Sequence, residues 1–495
     1  MDHRIRSRAG TSPGSRTFLA LIALIALIAS ACGGAATSPA TSPVASAPAA
    51  ESPAAESPAA ESPAAESPAA ESPAAESPAA ESPATESAAA ESPATAAECP
   101  ASAQGQTVEM WSPLTGPDGD EMTRLAQQYS SENESGITVE HVAQPEYVQK
   151  LEAGAAAKAL PALTVVRVTN VGQLAVRNVL KPFSDEVMGI FGEDFASDFP
   201  ENAWVRGEYN GQRYSVPLDL HPLVMYYNKD MFAAAGLEEP GTEPMSREDF
   251  EAALTALQES GVQPISIGTE FQGATLFQSF IVQFGGAIAN EEGTEATYNS
   301  EAGVQALEYV NQLKQQYSPD VSGTGDPEVQ GFKQEKAAIV IHGPWWISDL
   351  STLPFTGYAP IPQVGDQFAV WAGSHQLALT TEDPAAQAAA ACWIAWLSDN
   401  SVQWAAAGQV PASNAARENE ELATAAPGIA AVAPTIDKAI ILPQVAGIEG
   451  ALWDEFGPVV NGVLLGETTD IAAGLNEAAG RSQQKIEENA EQFGE

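Results

Sequence analysis

The chain has 495 residues, 65 Asp plus Glu against 21 Lys plus Arg, and a formal net charge of −44. A chain this acidic is repelled by DNA, RNA and anionic headgroups, which excludes a general polyanion-binding role. With 44% hydrophobic residues it is no disordered acidic tail, and at roughly 100–200 residues per domain its length suggests about two domains.

The charge is uneven: +3 on residues 1–32, −10 on 33–105 and −37 on the remainder. Arg4, Arg6, Arg8 and Arg16 precede an apolar run from Phe18 to Ala31, then Cys32-Gly33-Gly34. A basic stretch, a short apolar run and small residues predict a secretory signal over 1–31. The run is shorter than the ~20 residues of a membrane-spanning helix. Ile28-Ala29-Ser30-Ala31-Cys32 resembles a bacterial lipobox, which implies lipidation at Cys32. From Glu51 the unit Glu-Ser-Pro-Ala-Ala repeats six times unchanged, then three times with variation to Thr95. A Pro in eight of the nine units stops helix growth and Glu repulsion extends the chain, so residues 32–105 read as a tether reaching at most about 230 Å at ~3.1 Å per residue.

Beyond it, strands and helices alternate. Thr107–Trp111 reads as a strand, Asp118–Ser131 as a helix with Met122, Leu125, Ala126 and Tyr129 on one face, and Ile137–Val142 as a strand. Leu163–Val168 is an apolar strand of the buried kind. Ser246 caps a helix that carries Phe250, Leu254 and Leu257 and ends at Gly261; Val262–Gly268 is the next strand. Val304, Leu307, Val310 and Leu313 mark another helix, Ala337–His342 and Gln376–Thr380 two strands, and Pro384–Ser398 an apolar helix holding Cys392. This order predicts an α/β fold with mainly parallel sheets. Cys99 and Cys392 either pair as a disulfide, as export permits, or leave Cys392 buried and free.

Enzyme signatures are missing. Beyond the predicted signal, where Gly10-Thr11-Ser12-Pro13-Gly14 matches by chance, the chain has no Gly-x-Ser-x-Gly, no phosphate-loop Gly-x-x-x-x-Gly-Lys and no His-Glu-x-x-His. After the signal its His residues are His141, His221, His342 and His375, none at i,i+4, so spacing supports no metal and no cofactor is expected. With 54 acids in the head, carboxylate pairs carry no information.

Val108-Glu109-Met110-Trp111-Ser112-Pro113-Leu114-Thr115-Gly116-Pro117-Asp118-Gly119 resembles the opening strand and first ligand loop of sugar-binding proteins of ABC importers related to maltose-binding protein. Val216 to Pro222 and Tyr226 to Phe232 continue the resemblance, as do Gly331 to Ala338, Gly343-Pro344-Trp345-Trp346, Trp371 to His375, and Gly408 to Pro411. Leu442-Pro443 and Trp453 complete it. The motifs keep the family's order over 106–495; Ala162 after Pro161 departs from the usual Asp. The resemblance implies a two-lobe type II binding fold with an interlobe ligand cleft. Crossings are expected near Asp219–Leu223, Tyr358–Gly365 and Ala407–Ser413. Lobe 1 would be 106–219 plus 366–407, lobe 2 222–358 plus 414–495.

Sugars need aromatic rings for their CH faces and polar groups for their hydroxyls. Trp345, Trp371 and Trp453 are the aromatic candidates; the resemblance implies ring stacking at Trp345 and Trp453. Trp111 is equally a core residue, while Trp346, Trp393 and Trp396 read as core. His221 matches a ligand-binding hinge position. Asp219, two residues away on the same strand face, either binds ligand or caps the turn. Ser374 and His375 sit at a strand entry facing the cleft, and Thr115, Tyr147, Thr169 and Asn170 match cleft positions. Arg167 and Arg417 are the cations open to a phosphate. The resulting expectation is a monomeric, lipid-anchored, extracytoplasmic carbohydrate receptor that delivers its ligand to the transmembrane subunits of an ABC permease. It would have no catalytic residues, no nucleic-acid partner, and no membrane contact beyond its anchor. A glycan-processing hydrolase, a binder of glycerol phosphates and a structural surface protein are the alternatives.

Overall fold

The computed structural model describes residues 99–318, 321 and 325–494. The signal, the lipidation at Cys32 and the repeats lie outside them. Cys99–Gly105, read above as the tether's end, belongs to the folded unit. Ala101–Ala103 forms a 3-10 turn with Ala103 wholly buried, and Cys99 is disulfide-bonded to Cys392. The tether reading failed there because three Ala-rich residues look alike in a spacer and against a helix.

Among the described residues three larger sheets organise the fold, beside a two-stranded ribbon of Glu208–Tyr209 and Gln212–Arg213. The first runs in the order Thr138–Ala143, Thr107–Ser112, Leu163–Arg167, His375–Leu379, Ser215–Pro217. Its first three strands are parallel, as the strand–helix alternation over 107–167 requires. His375–Leu379, arriving from far along the chain, inserts antiparallel to both its neighbours. The second sheet runs Thr356–Pro360, Val224–Asn228, Ala337–His342, Gln263–Ser266, with one parallel pair and two antiparallel pairs. The sheets are therefore mixed rather than mainly parallel. Long-range returns, which local periodicity does not encode, set the direction of the added strands.

A third sheet joins Val410–Pro411, Asp219–Pro222, Val370–Gly373 and Ala439–Ile440. Val410–Pro411 and Asp219–Pro222 lie in two of the segments expected as crossings, whereas Val370–Gly373 and Ala439–Ile440 lie outside them and Tyr358–Gly365 adds no strand to this sheet. Helices cover the first two sheets. Ser246 Oγ accepts from the Asp249 amide, which fixes the start of the helix Arg247–Glu259, and Phe250, Leu254 and Leu257 face inward. The helix Pro384–Asp399 is nearly all apolar and buried along most of its length, with Trp393 stacked on Trp396. Phe277, Phe280 and Phe456 pack beneath the second sheet among fully buried residues. No helix among the described residues is long and apolar enough to cross a membrane.

Candidate functional site

A cavity of about 670 Å³ opens between Pro113, Asp118 and Arg167–Thr169 on one side and Glu449, Trp453 and Asp454 on the other, with the third sheet as its floor. Phe271, the first residue of the helix Phe271–Gln283, anchors its wall. Its ring lies 5.5–5.8 Å between centroids from Trp345, Trp371 and Trp453. Trp345 reaches the wall because Gly343-Pro344 ends the strand Ala337–His342 and starts the turn Pro344–Trp346. The Trp345 ring lies so close over Gly343 that a Cβ there would stand 2.1 Å from it. Tyr226 Oη donates to the Gly343 carbonyl at 2.7 Å, pinning the turn.

Polar groups occupy the remainder. Among the described residues, Gln278 Nε2, Gln409 Oε1 and both ring nitrogens of His221 are buried without a hydrogen-bond partner, and all three side chains line the cavity. Buried polar atoms are normally paired, so such a set facing one cavity suits a ligand rich in hydroxyls. Thr169 Oγ1 donates to Glu449 Oε2 at 2.6 Å. Gln444 donates to the Val168 carbonyl at 2.7 Å and accepts from the Gly172 amide at 3.1 Å. These bonds tie the two sides of the cavity together.

Asp219 governs the floor without lining the cavity. Its Oδ1 accepts from the His375 amide at 2.8 Å, and its Oδ2 accepts from Trp404 Nε1 at 2.9 Å and pairs with His375 Nδ1 at 3.0 Å. Burial alone would raise its pKa. The neighbouring His375 and His221 outweigh that and hold it well below the usual carboxylate range. The contact places a proton on His375 Nδ1, and the ring itself lines the cavity. His221 stands 3.4 Å from Asp219 Oδ1. Burial, then His375, push its pKa below the ordinary 6.5, keeping it neutral.

Asp219, His221 and His375 converge, as do Asp326, Glu328 and His342 behind the wall, so two groups have donor types that a metal uses. Hydrogen bonding already assigns both. Asp219 is filled by three N–H donors. In the second group the Gly343 amide donates to His342 Nδ1 at 2.9 Å, so Nε2 carries the proton and has no lone pair to offer.

Of the sequence candidates, Trp345, Trp371, Trp453, His221, Ser374, His375, Thr169 and Arg167 line the cavity. Others lie outside its lining. Asp219 is turned away to hold the two His rings. Tyr147 Oη bonds to Asn170 Oδ1, a short pair beneath the Arg167 amide. Trp111 Nε1 is taken by Glu109, Thr115 sits exposed on its loop, and Arg417 bonds the Ala412 carbonyl. Phe271, Gln278, Gln409, Glu449 and Asp454 were not anticipated. Only the excess of Gln in the otherwise apolar helix Phe271–Gln283 signalled any of them.

A model of the bacterial extracellular solute-binding protein family matches residues 124–431. The maltodextrin-binding protein MdxE of Bacillus subtilis is 26% identical over 227 residues, 43% of this chain and 53% of that protein. The sn-glycerol-3-phosphate-binding periplasmic protein UgpB of Escherichia coli is 26% identical over 249 residues, 47% of this chain and 55% of that protein. The chain thus spans about half the length of these curated relatives. The sugar-binding protein MalE of Xanthomonas citri superposes with a TM-score of 0.68 at 20% identity, covering 79% of this chain and all of that structure.

Proposed function

Because the chain belongs to the family of bacterial extracellular solute-binding proteins and has the two-lobe type II fold of its maltose-binding-like neighbours, we propose that it is the carbohydrate receptor of an ABC importer. The observation that carries this reading is the pairing, in one cavity, of a four-ring aromatic wall with buried unpaired Gln and His groups. Rings take the CH faces of a sugar, and the unpaired groups take its hydroxyls. Trp345, Trp371 and Trp453 stack the ligand; His221, His375, Ser374 and Thr169 meet its polar edges. In this reading the first sheet belongs to one lobe, the second sheet to the other, and the third sheet is their hinge. Extracytoplasmic location follows from the family. The lipid anchor at Cys32, the extended tether, the monomeric state and the permease partner complete the reading.

Saturable change in Trp fluorescence with a mono- or oligosaccharide, abolished by Trp345→Ala, is the expected result. A broad sugar panel that gives neither fluorescence change nor thermal shift defeats the proposal, and turnover of a glycan by the pure protein replaces it with a hydrolase. One observation favours a second reading, a phosphate-bearing solute: Arg167 lines the cavity, and UgpB is among the relatives. Asp118, Glu449 and Asp454 line it too, and their repulsion of phosphate keeps a neutral sugar ahead.

A further inference from the structure

Behind the aromatic wall, His342 meets two demands that conflict. Its ring is 99% buried. Nε2 makes no hydrogen bond yet points between Glu328 Oε1 at 3.4 Å and Asp326 Oδ1 at 3.6 Å. Both distances exceed hydrogen-bonding range but are short for charge attraction. Glu328 is itself buried, and Asp326 is held beside it at a left-handed φ of 53°. Two carboxylates so placed favour an imidazolium. At Nδ1 the opposite holds, because the Gly343 amide donates there at 2.9 Å and that bond exists only while Nδ1 carries no proton.

We propose that His342 is a positioning residue whose protonation releases the Gly343–Trp345 turn and so weakens ligand binding at the aromatic wall. This rests on the receptor reading above. The steps are local. Adding a proton to Nδ1 sets it against the Gly343 N–H, so Gly343 must move. Tyr226 grips the carbonyl of the same residue, and the Trp345 ring lies directly over its Cα. Any rotation of that peptide therefore carries Trp345 with it. His342 also touches the wall directly, with its ring centroid 5.5 Å from both Phe271 and Trp345. The groups facing His342 from the packed elements are Val224 on the adjacent strand, Phe271 from its helix, and Trp345 and Trp346 from the turn. The charged groups acting on it are Asp326 and Glu328. Burial disfavours the imidazolium, but these two carboxylates outweigh it and raise the His342 pKa above the ordinary 6.5. A proton, rather than a divalent ion, is the occupant the geometry selects, since Nε2 already bears hydrogen.

The test uses the full chain and two readouts. In ligand-free protein with 13C-labelled His and 5-fluorotryptophan, the His342 and Trp345 resonances should titrate with one shared midpoint above about pH 6.5, the ordinary His value. Glu328→Gln should lower that midpoint, and His342→Gln should remove it. With maltotriose as probe, affinity should fall on the order of tenfold between about pH 8.5 and 5.5, the fold-change of one lost hydrogen bond, and His342→Gln should flatten that profile. The ligand-free arm judges the coupling even if maltotriose does not bind, which would count against the receptor reading alone. Separate midpoints for His342 and Trp345, or a His342 that stays neutral to about pH 5, overturn the proposal. So does a stoichiometric metal that is retained by the protein and lost in Glu328→Gln.

Discussion

Two clusters in this molecule contain the same chemistry in opposite states. On the cavity floor one carboxylate, Asp219, is surrounded by three N–H donors from His375 and Trp404, with the His221 ring 3.4 Å away. Behind the wall two carboxylates, Asp326 and Glu328, share one His342. In the first, donors outnumber acceptors, so the charge settles on Asp219 and His221 stays neutral. In the second, acceptors outnumber donors, so the charge is drawn onto the His. The number of N–H groups per carboxylate, not residue type, decides which partner is ionised. That makes the floor a rigid support and the wall a region that responds to protons.

The largest effect should come from Asp219→Ala. It leaves Trp404 Nε1, the His375 amide and His375 Nδ1 buried and unpaired, and should destabilise the fold by about 3–5 kcal/mol; urea unfolding that shows less than about 1 kcal/mol would make Asp219 incidental. Asp219→Asn keeps the shape, removes the charge and turns one of the two accepting oxygens into a donor. Since the Asp219 pKa is depressed, its stabilisation is present above the unfolded value near 3.9 and is lost as pH falls through the lower folded value. The wild type should therefore exceed this variant at neutral pH, with the gap closing in acid. A gap independent of pH would assign the effect to the lost acceptor rather than to the charge. Gly343→Ala comes next, on the wall side. Its Cβ must displace the Trp345 ring, at about 1–3 kcal/mol of overpacking, and the sugar-dependent fluorescence should disappear with it.

How far the sequence reaches follows the same division. Ala337–His342, Pro384–Asp399 and the Ser246 cap were legible because periodicity and capping are local signals. The direction of His375–Leu379 was not, because its partners Leu163–Arg167 and Ser215–Pro217 lie some 160–210 residues upstream. Trp345 could be found from the break at Gly343-Pro344 before it. Phe271 could not, since one aromatic at a helix start looks like core until three Trp residues from distant segments close around it. Asp219 was read as a ligand group because it shares a strand face with His221. Alternation places a side chain on a face but does not say that Trp404 and His375 will cover it.

The smallest expected effect separates the clusters most sharply, because its sign is opposite. His342 has a raised folded pKa, so its stabilisation is fully present below the ordinary 6.5 and is lost as pH rises through the folded value. The wild type should lose stability across that rise, measured by chemical unfolding at fixed ionic strength, and His342→Gln should abolish this slope while leaving the acid slope of Asp219 intact. Binding at the wall should run the other way, strengthening as the fold weakens, because the neutral ring that forfeits its attraction to Asp326 and Glu328 is the one that holds Gly343. A purely structural His342 would move stability and affinity in the same direction. Opposed slopes with one midpoint require that its proton is shared between the fold and the site.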